Sequence, residues 1–435
     1  MLRKSVKQIA LLLTLVVSIP LTFSACEQKQ KEIKLTSNVK QEMKEEDKNA
    51  SKLVKVKDLD LGDMMYTPVC WKDDENIIVT EGSDKNKNLM DFKSVHIDDI
   101  NVYNVNIKTS KISKVNTIKD AVCGEIGQKD MYGNFLYIKD NKVCMYNTIE
   151  NTQKSIYDLS EIIKEQKQKL KIQDNKELLK RIHCGFVLGS DKCIYVMALT
   201  SDGTCSMRVI NTDTGGVIKG SFTAGYFPNL DNIRGLYSWA YNKNKDSFYV
   251  SSIFYNVIYE CKLGEKSDIK KNKVAGGEIF DISKDGNTLY LNSIIKKNKK
   301  SIIKYDMEKN KAIELINDAV EDKGKNQQSV FENISINYDK SIISYSVQSF
   351  MIESDNKNSY KIQATSFIGD FDGKEIKNSR RLPLEQLDKN GNGNAIILNK
   401  RGDSFIYLVT YFDYNAKDDV TKLYKTKSYV YQIKK

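Results

Sequence analysis

Few residues in this chain are equipped for bond-making chemistry. Its 435 residues include only two histidines, His96 and His183, and eight cysteines. Serine or cysteine nucleophiles commonly need a histidine base, and no Gly-x-Ser-x-Gly elbow occurs. A phosphate-cradling loop and a dinucleotide fingerprint are missing too. Cys70, Cys123, His183 and Cys184 fall near the starts of successive strand-like segments, and soft N and S donors brought together could hold a metal. No CxxC spacing joins them, so they read as packing side chains. His96, beside Asp98 and Asp99, reads as part of a solvated loop. Asp388-Lys389-Asn390-Gly391-Asn392-Gly393 matches the first half of a calcium loop, but Asn399 stands where a bidentate Glu belongs, so a polar connector is the better reading. The expected inventory is no catalytic residue, no metal and no cofactor. Isolated carboxylates leave no spacing signature, so glycoside chemistry by an acid pair stays open as an alternative.

Binding is the chemistry the sequence favours. In the segment Phe222–Trp239, the residues Tyr226, Phe227, Arg234, Tyr237 and Trp239 are of the types that dominate interfaces and stack on sugars. Packing between sheets is the competing reading of Tyr237 and Trp239.

The elements that must position such a site are strands. Ile282–Leu291 reads as a strand, the turn Ser283-Lys284-Asp285-Gly286-Asn287, and a second strand. Variants recur at Trp71–Val79, Met131–Tyr137, Leu188–Tyr195, Tyr241–Val250, Ile336–Tyr345 and Leu398–Tyr407. Asp, Asn, Gly and Ser fill these turns because they tolerate left-handed backbone and bond their own main chain. Arg401-Gly402-Asp403, an adhesion tripeptide by spelling, is one of these turns. A second hairpin follows most of them, as at Val105–Ile112 and Ile303–Ile313. The Ser-Lys-Asp-Gly-Asn turn resembles the Ser-Pro-Asp-Gly-Lys turn of the TolB-like and WD40-like repeat superfamily. Seven such units of four strands each make an all-β chain, a seven-bladed β-propeller over residues 51–435, with six blades as the alternative, and the resemblance carries the same fold. It implies no single activity. The last unit lacks a fourth strand, and Lys52–Lys57 is a spare one, so the two should pair and close the ring. Asp158-Leu159-Ser160-Glu161 has capping-box spacing, and apolar residues follow in a Lys/Gln-rich context, which predicts a helical insertion over 159–182.

The N-terminus carries an address. Arg3, Lys4 and Lys7 precede an apolar run, Ile9–Phe23, too short for a membrane span, which needs ~20 residues. Phe23-Ser24-Ala25-Cys26 resembles the lipobox of bacterial lipoproteins, with Phe23 where that family usually has an aliphatic residue. The resemblance implies a signal peptide over 1–25, fatty-acyl chains of the palmitate kind on Cys26, and a place on the extracytoplasmic face of a bacterial cell membrane. An ordinary cleaved signal with a chance Cys is the alternative. Residues 26–50 have balanced acids and lysines and no apolar period, the composition of a flexible tether. The net charge is +11 but is scattered lysine without an arginine-rich run, so no nucleic-acid partner is expected. In this register the short turns share one face and the long links the other: 81–101, the helical insertion, 221–233, 319–329, 351–359, 380–393 and 411–422. Loops set on a rigid scaffold are where binding usually sits. The expected role is a non-enzymatic module binding an envelope protein, peptide or glycan there, with a carbohydrate-active enzyme or a plain spacer as alternatives.

Overall fold

Polar turns and β-branched or aromatic runs alternate along the chain, and the strands follow that alternation. The computed structural model describes residues 35–37, 52–59, 61, 66–81, 96–123, 133–179, 181–199, 205–218, 222–224, 237–252, 255–262, 269–272, 277–296, 299–317, 327–352, 360–383, 391–415 and 420–434. In order, the strands are β1 (Leu35–Ser37), β2 (Lys52–Leu59), β3 (Tyr66–Trp71), β4 (Asn76–Glu81), β5 (His96–Asn106), β6 (Ile112–Cys123), β7 (Asn134–Lys139), β8 (Lys142–Asn147) and β9 (Thr152–Asp158). Two helices follow, α1 (Ser160–Leu170) and α2 (Asn175–Leu179). Then come β10 (Ile182–Phe186), β11 (Cys193–Leu199), β12 (Cys205–Asn211), β13 (Phe222–Ala224), β14 (Tyr237–Asn242), β15 (Ser247–Ser252), β16 (Tyr255–Lys262), β17 (Ile269–Asn272), β18 (Gly277–Ile282), β19 (Thr288–Lys296), β20 (Lys299–Asp306) and β21 (Lys311–Asn317). The last are β22 (Gln327–Asn337), β23 (Ile342–Ile352), β24 (Tyr360–Phe371), β25 (Ile376–Arg381), β26 (Gly391–Leu398), β27 (Ser404–Asn415) and β28 (Val420–Lys434). No helix among the described residues is long and apolar enough to cross a membrane.

The described residues are mostly β, in five sheets built mainly of consecutive antiparallel hairpins. β10–β13 and β14–β17 form one sheet each, and β18–β21 form a third with β1 added on its outside. The two larger sheets are each stitched at one point. β6 meets β7 through the single pair Val122–Ile138, and β24 meets β26 through Ile362–Gly391. β2 pairs antiparallel with β28 from Lys52–Lys434 to Leu59–Ser428, so the spare N-terminal strand completes the C-terminal hairpins as expected.

The helical insertion lies where the sequence predicts, with two corrections. α1 starts at Ser160, and Asp158 Oδ1 accepts from the Ser160 amide at 2.8 Å, one residue ahead of the box geometry. The insertion also ends sooner, since Ile182 already belongs to β10. Arg208 on β12 ties the helix to the sheet, its Nη2 lying 2.8 Å from Glu165 Oε1 and its Nη1 donating to the Tyr157 hydroxyl at 2.7 Å. His96, expected in a loop, instead opens β5. Within the predicted tether, Leu35–Ser37 form β1.

Strands apolar on both faces must be covered on both, and the core is accordingly divided among seams between neighbouring strand groups. One seam joins Trp71, Ile77 and Val79 to Ile406 and Val430. Others join Val69 and Ile78 to Phe135 and Tyr146, and Ala240 and Tyr249 to Ile282 and Leu289. Leu136 and Val143 meet Ile194 and Val196, with Leu159, Ile162 and Leu178 of the insertion filling the same seam. Tyr290 and Ile302 meet Phe331 and Tyr345, while Ile342 and Ile368 meet Phe405 and Tyr407. Each fully buried Phe or Ile here contributes roughly 1.5–3 kcal/mol.

The short turns touch side by side at one end of the sheets. Asn242 Nδ2 donates to Gly286 O, Lys284 pairs with Asp339, and Arg401 pairs with Asp74. Gly189 and Gly402 have φ of 76° and 65°, and a Cβ on either would collide with the neighbouring turn, at Tyr241 O and at Lys340 respectively. Glycine at these turns therefore serves both the local bend and the close approach.

Candidate functional site

The aromatic segment divides under the structure. Tyr226, Phe227 and Arg234 lie outside the described residues, as does Cys26. Tyr237 opens β14. Trp239 is 1 % exposed and stacks on Tyr195 with ring centroids 5.7 Å apart and 20° between planes. It packs β14 against β11 and offers no face to a ligand, which corrects its place among the predicted binding residues. The physical reason is period two along β14: Trp239 points into a seam.

Cys70, Cys144, Cys184 and Cys193 are also structural. Cys70 Sγ lies 3.1 Å from Thr148 Oγ1, a contact between hairpins. Burial, reinforced by nearby Cys144, pushes the Cys184 thiol up to about 12, and burial raises Cys144 and Cys193 as well. A thiol held protonated is a poor nucleophile and a poor metal ligand. Among the described residues, no three His, Cys, Asp or Glu side chains gather as a metal site would require. Asp388, Lys389 and Asn390 of the calcium-like motif lie outside the described residues, and Gly391–Gly393 begin β26.

The structure brings together a polar constellation that no sequence motif marks. It is built on β22, the first strand of its group and an edge of its sheet. The register of β22 against β23 shifts between Glu332 and Ser335. Asn333 in that bulge has φ 51°, a left-handed conformation that Asn tolerates better than most residues. Bulges re-aim side chains and cluster near functional sites. Here Glu332 and Asn333 are turned outward and exposed. With the Gln348 amide turned to suit, its nitrogen donates to both Glu332 oxygens, at 2.9 and 2.5 Å. Asn333 Nδ2 donates to Asn394 O on β26 at 2.5 Å, and Asn394 Nδ2 donates to Ala364 O at 2.9 Å. From the other side, Asn292 Nδ2 on β19 donates to Phe331 O at 2.7 Å. Two side-chain amides, Asn333 and Asn292, thus pin the bulge to both neighbouring groups, with a carboxylate held at its rim.

Behind it lies a buried hydroxyl tract. Ser346 and Ser366 share a hydrogen bond at 2.8 Å, the Tyr407 hydroxyl is set against Ser366, and Ser344 Oγ is buried with no hydrogen-bond partner among the described residues. Such a rim of oriented amide and carboxylate groups can donate to and accept from hydroxyls and peptide groups. One signal was available: Asn is depleted in strands, and Asn333 and Asn394 each sit in one.

A second polar group lies on the opposite side of the β22–β25 group. β18 shifts register between Ile279 and Asp281, and the bulge turns Asp281 inward, its Oδ1 accepting from the Ile282 amide at 2.7 Å. Burial pushes its carboxyl up to about 7, against the opposing pull of the Ile282 amide and the Tyr338 hydroxyl.

No family model and no curated protein matches the chain. Solved structures of similar shape include an oligogalacturonate lyase in complex with manganese, at 9% identity and a TM-score of 0.48, covering 88% of this chain and 96% of that one. The β-propeller domain of the Trilobed protease from Pyrococcus furiosus is similar at 12% identity and 0.41, covering 83% and 98%. TolB from Acinetobacter baumannii is similar at 12% identity and 0.36, covering 77% of each chain.

Proposed function

We propose that the chain is a seven-bladed β-propeller, held at the extracytoplasmic face of a bacterial membrane by acyl chains on Cys26, that binds a protein, peptide or glycan through polar main-chain-like contacts. The blade count follows from dividing the two larger sheets at their single-pair stitches, Val122–Ile138 and Ile362–Gly391. That leaves the groups β3–β6, β7–β9, β10–β13, β14–β17, β18–β21, β22–β25 and β26–β28 with β2. In this reading the far end of β6 serves as the first strand of the second blade. First and last groups meet: Trp71 Nε1 donates to Ile397 O at 3.0 Å across the seam that holds Ile406 and Val430. Such a ring covers the faces of every blade without a closed barrel.

The observation that carries the binding role is the β22 bulge, where Glu332 and Asn333 stand exposed on an edge strand fixed from both sides. A preorganised polar rim costs little ordering when a ligand arrives. Most of the long links, residues 82–95, 225–236, 318–326, 353–359, 384–390 and 416–419, lie outside the described residues. The test is crosslinking and pull-down from intact membranes with wild type and Glu332→Ala. Recovery of one specific protein or glycan by wild type, reduced in the variant, supports the role. Recovery of none removes it. Mass spectrometry of the mature N-terminus tests the anchor, and an unmodified Cys26 would refute it.

A second reading, a carbohydrate-active envelope enzyme, draws on Glu278 and Glu332, carboxylates on the first strands of adjacent groups. Paired acids are what such chemistry needs. Polysaccharide cleavage lost in both Glu278→Gln and Glu332→Gln would favour it over binding.

A further inference from the structure

Sheet edges must be guarded, or other strands add to them. Most outer strands here are guarded in familiar ways. β17 carries Lys270 and Lys271, and β25 carries Lys377, Arg380 and Arg381. β13 is only three residues long. β28 is covered by β2, which carries Lys52, Lys55 and Lys57. β21 is different. It reads Lys311-Ala312-Ile313-Glu314-Leu315-Ile316-Asn317. Its one central charge does not stand guard: Glu314 is 5% exposed, and its Oε1 accepts from Ser301 Oγ at 2.6 Å. The edge that remains is rich in apolar residues and free of proline, well suited to pairing. It is also the edge that carries an extra strand. β1 runs parallel to it, Leu35 opposite Ala312, Thr36 opposite Ile313 and Ser37 opposite Glu314. β1 comes from a stretch whose composition gives it no core of its own.

We propose that the outer edge of β21 is a strand-addition site for the chain's own N-terminal segment, and that the docked segment is a strap setting how far the folded body stands from residue 26. Undocked, the 26 residues from Cys26 to Lys52 can span up to about 90 Å, whereas the nine residues from Cys26 to Leu35 span about 30 Å at most. Main-chain hydrogen bonds supply the attachment, as in other strand additions. Three paired residues make a short attachment, so the strap is releasable. The consequence for reach rests on the lipid-anchor reading of Cys26; the docking itself does not.

Hydrogen exchange on the full chain tests the proposal, comparing wild type with Thr36→Pro. Proline removes the amide and cannot continue the ladder. The expected result is exchange at Ala312–Asn317 faster by about tenfold in the variant, with β17 amides and the thermal midpoint unchanged. Equal exchange in the two proteins, whether fast or slow, overturns the proposal. A second variant, Ile313→Lys, places a guard charge on the edge. It should speed exchange at Leu35–Ser37, and unchanged exchange there also overturns the proposal. Both readouts are indifferent to acylation, so failure of the strap and failure of the anchor are separate outcomes.

Discussion

β23 presents two faces that share one backbone and almost nothing else. One face carries Ile343, Tyr345 and Val347 and meets Phe331, Tyr290, Ile302 and Phe371 in an apolar seam. The other carries Ser344, Ser346 and Gln348 and meets Ser366, Asn394 and Tyr407. On the first face, rings do the packing: Phe331 on Tyr345 at 5.9 Å and Tyr290 on Phe371 at 5.6 Å, both edge-on. On the second, buried hydroxyls and amides hold one another, and the tract ends at the exposed Glu332. Apolar contact is non-directional and tolerates any ligand-free state, whereas oriented polar groups cost stability unless satisfied. A chain selected for stability alone would make both faces like the first. The comparison therefore sets the hydroxyl side, and its rim at the bulge, apart from the side that only packs.

The comparison can be broken by substitutions on either side. The largest effect is expected from Phe331→Ala, which opens a cavity in the apolar seam and should cost about 3–5 kcal/mol in urea unfolding. A cost no greater than that of a polar-face substitution would erase the contrast. Next is an acid set beside Tyr290 and Tyr338 of the apolar seam, Asp281. Its folded-state carboxyl titrates near 7 against an ordinary value of 3.8. The folded state therefore holds a proton that the unfolded state has released. Stability is fully present below about pH 4 and is lost as pH rises through about 7. Asp281→Asn should flatten that slope and be more stable than wild type at pH 8 by up to about 4 kcal/mol. Parallel pH–stability curves for the two proteins would show that Asp281 does not titrate in this way.

Smaller effects belong to the hydroxyl face. Ser346→Ala removes a hydrogen-bond partner of the buried Ser366 hydroxyl and should cost about 1–2 kcal/mol, while Ser346→Ala with Ser366→Ala should recover much of that. A double variant as unstable as the sum of the singles would mean the pair is not coupled. Smallest is Tyr407→Phe, which removes a buried hydroxyl set loosely against Ser366. The change should lie within about 0.5 kcal/mol of wild type or be stabilising, and a loss above about 1 kcal/mol would reveal a water-bridged network across the seam.

Much of the fold is legible in particular residues. The turn Ser283–Asn287 forms as its residue types predict, with the Gly286 amide donating to Ser283 O at 2.8 Å. Lys52–Lys57 pairs with the C-terminal strand, and the helices fall inside the predicted insertion. The alternation Ile343, Tyr345, Val347 against Ser344, Ser346, Gln348 is visible in the bare sequence. The candidate site was far less legible. Trp239 has the composition of a binding residue and the position of a packing one. Glu332 and Asp281 look like any other strand carboxylates until a bulge turns one outward and the other in.

The division has a physical cause. Turn chemistry and the period of two act over a few residues, so the sequence by itself determined where strands begin, how hairpins register and which side chains share a face. What lies opposite that face is set by groups far away in the chain. Asn333 finds Asn394, Trp71 finds Ile397, and Leu35 finds Ala312 only after the sheets have stacked. Burial, the raised carboxyl of Asp281, the pinned bulge and the covered edge of β21 are properties of those meetings, and only the tertiary structure decided them.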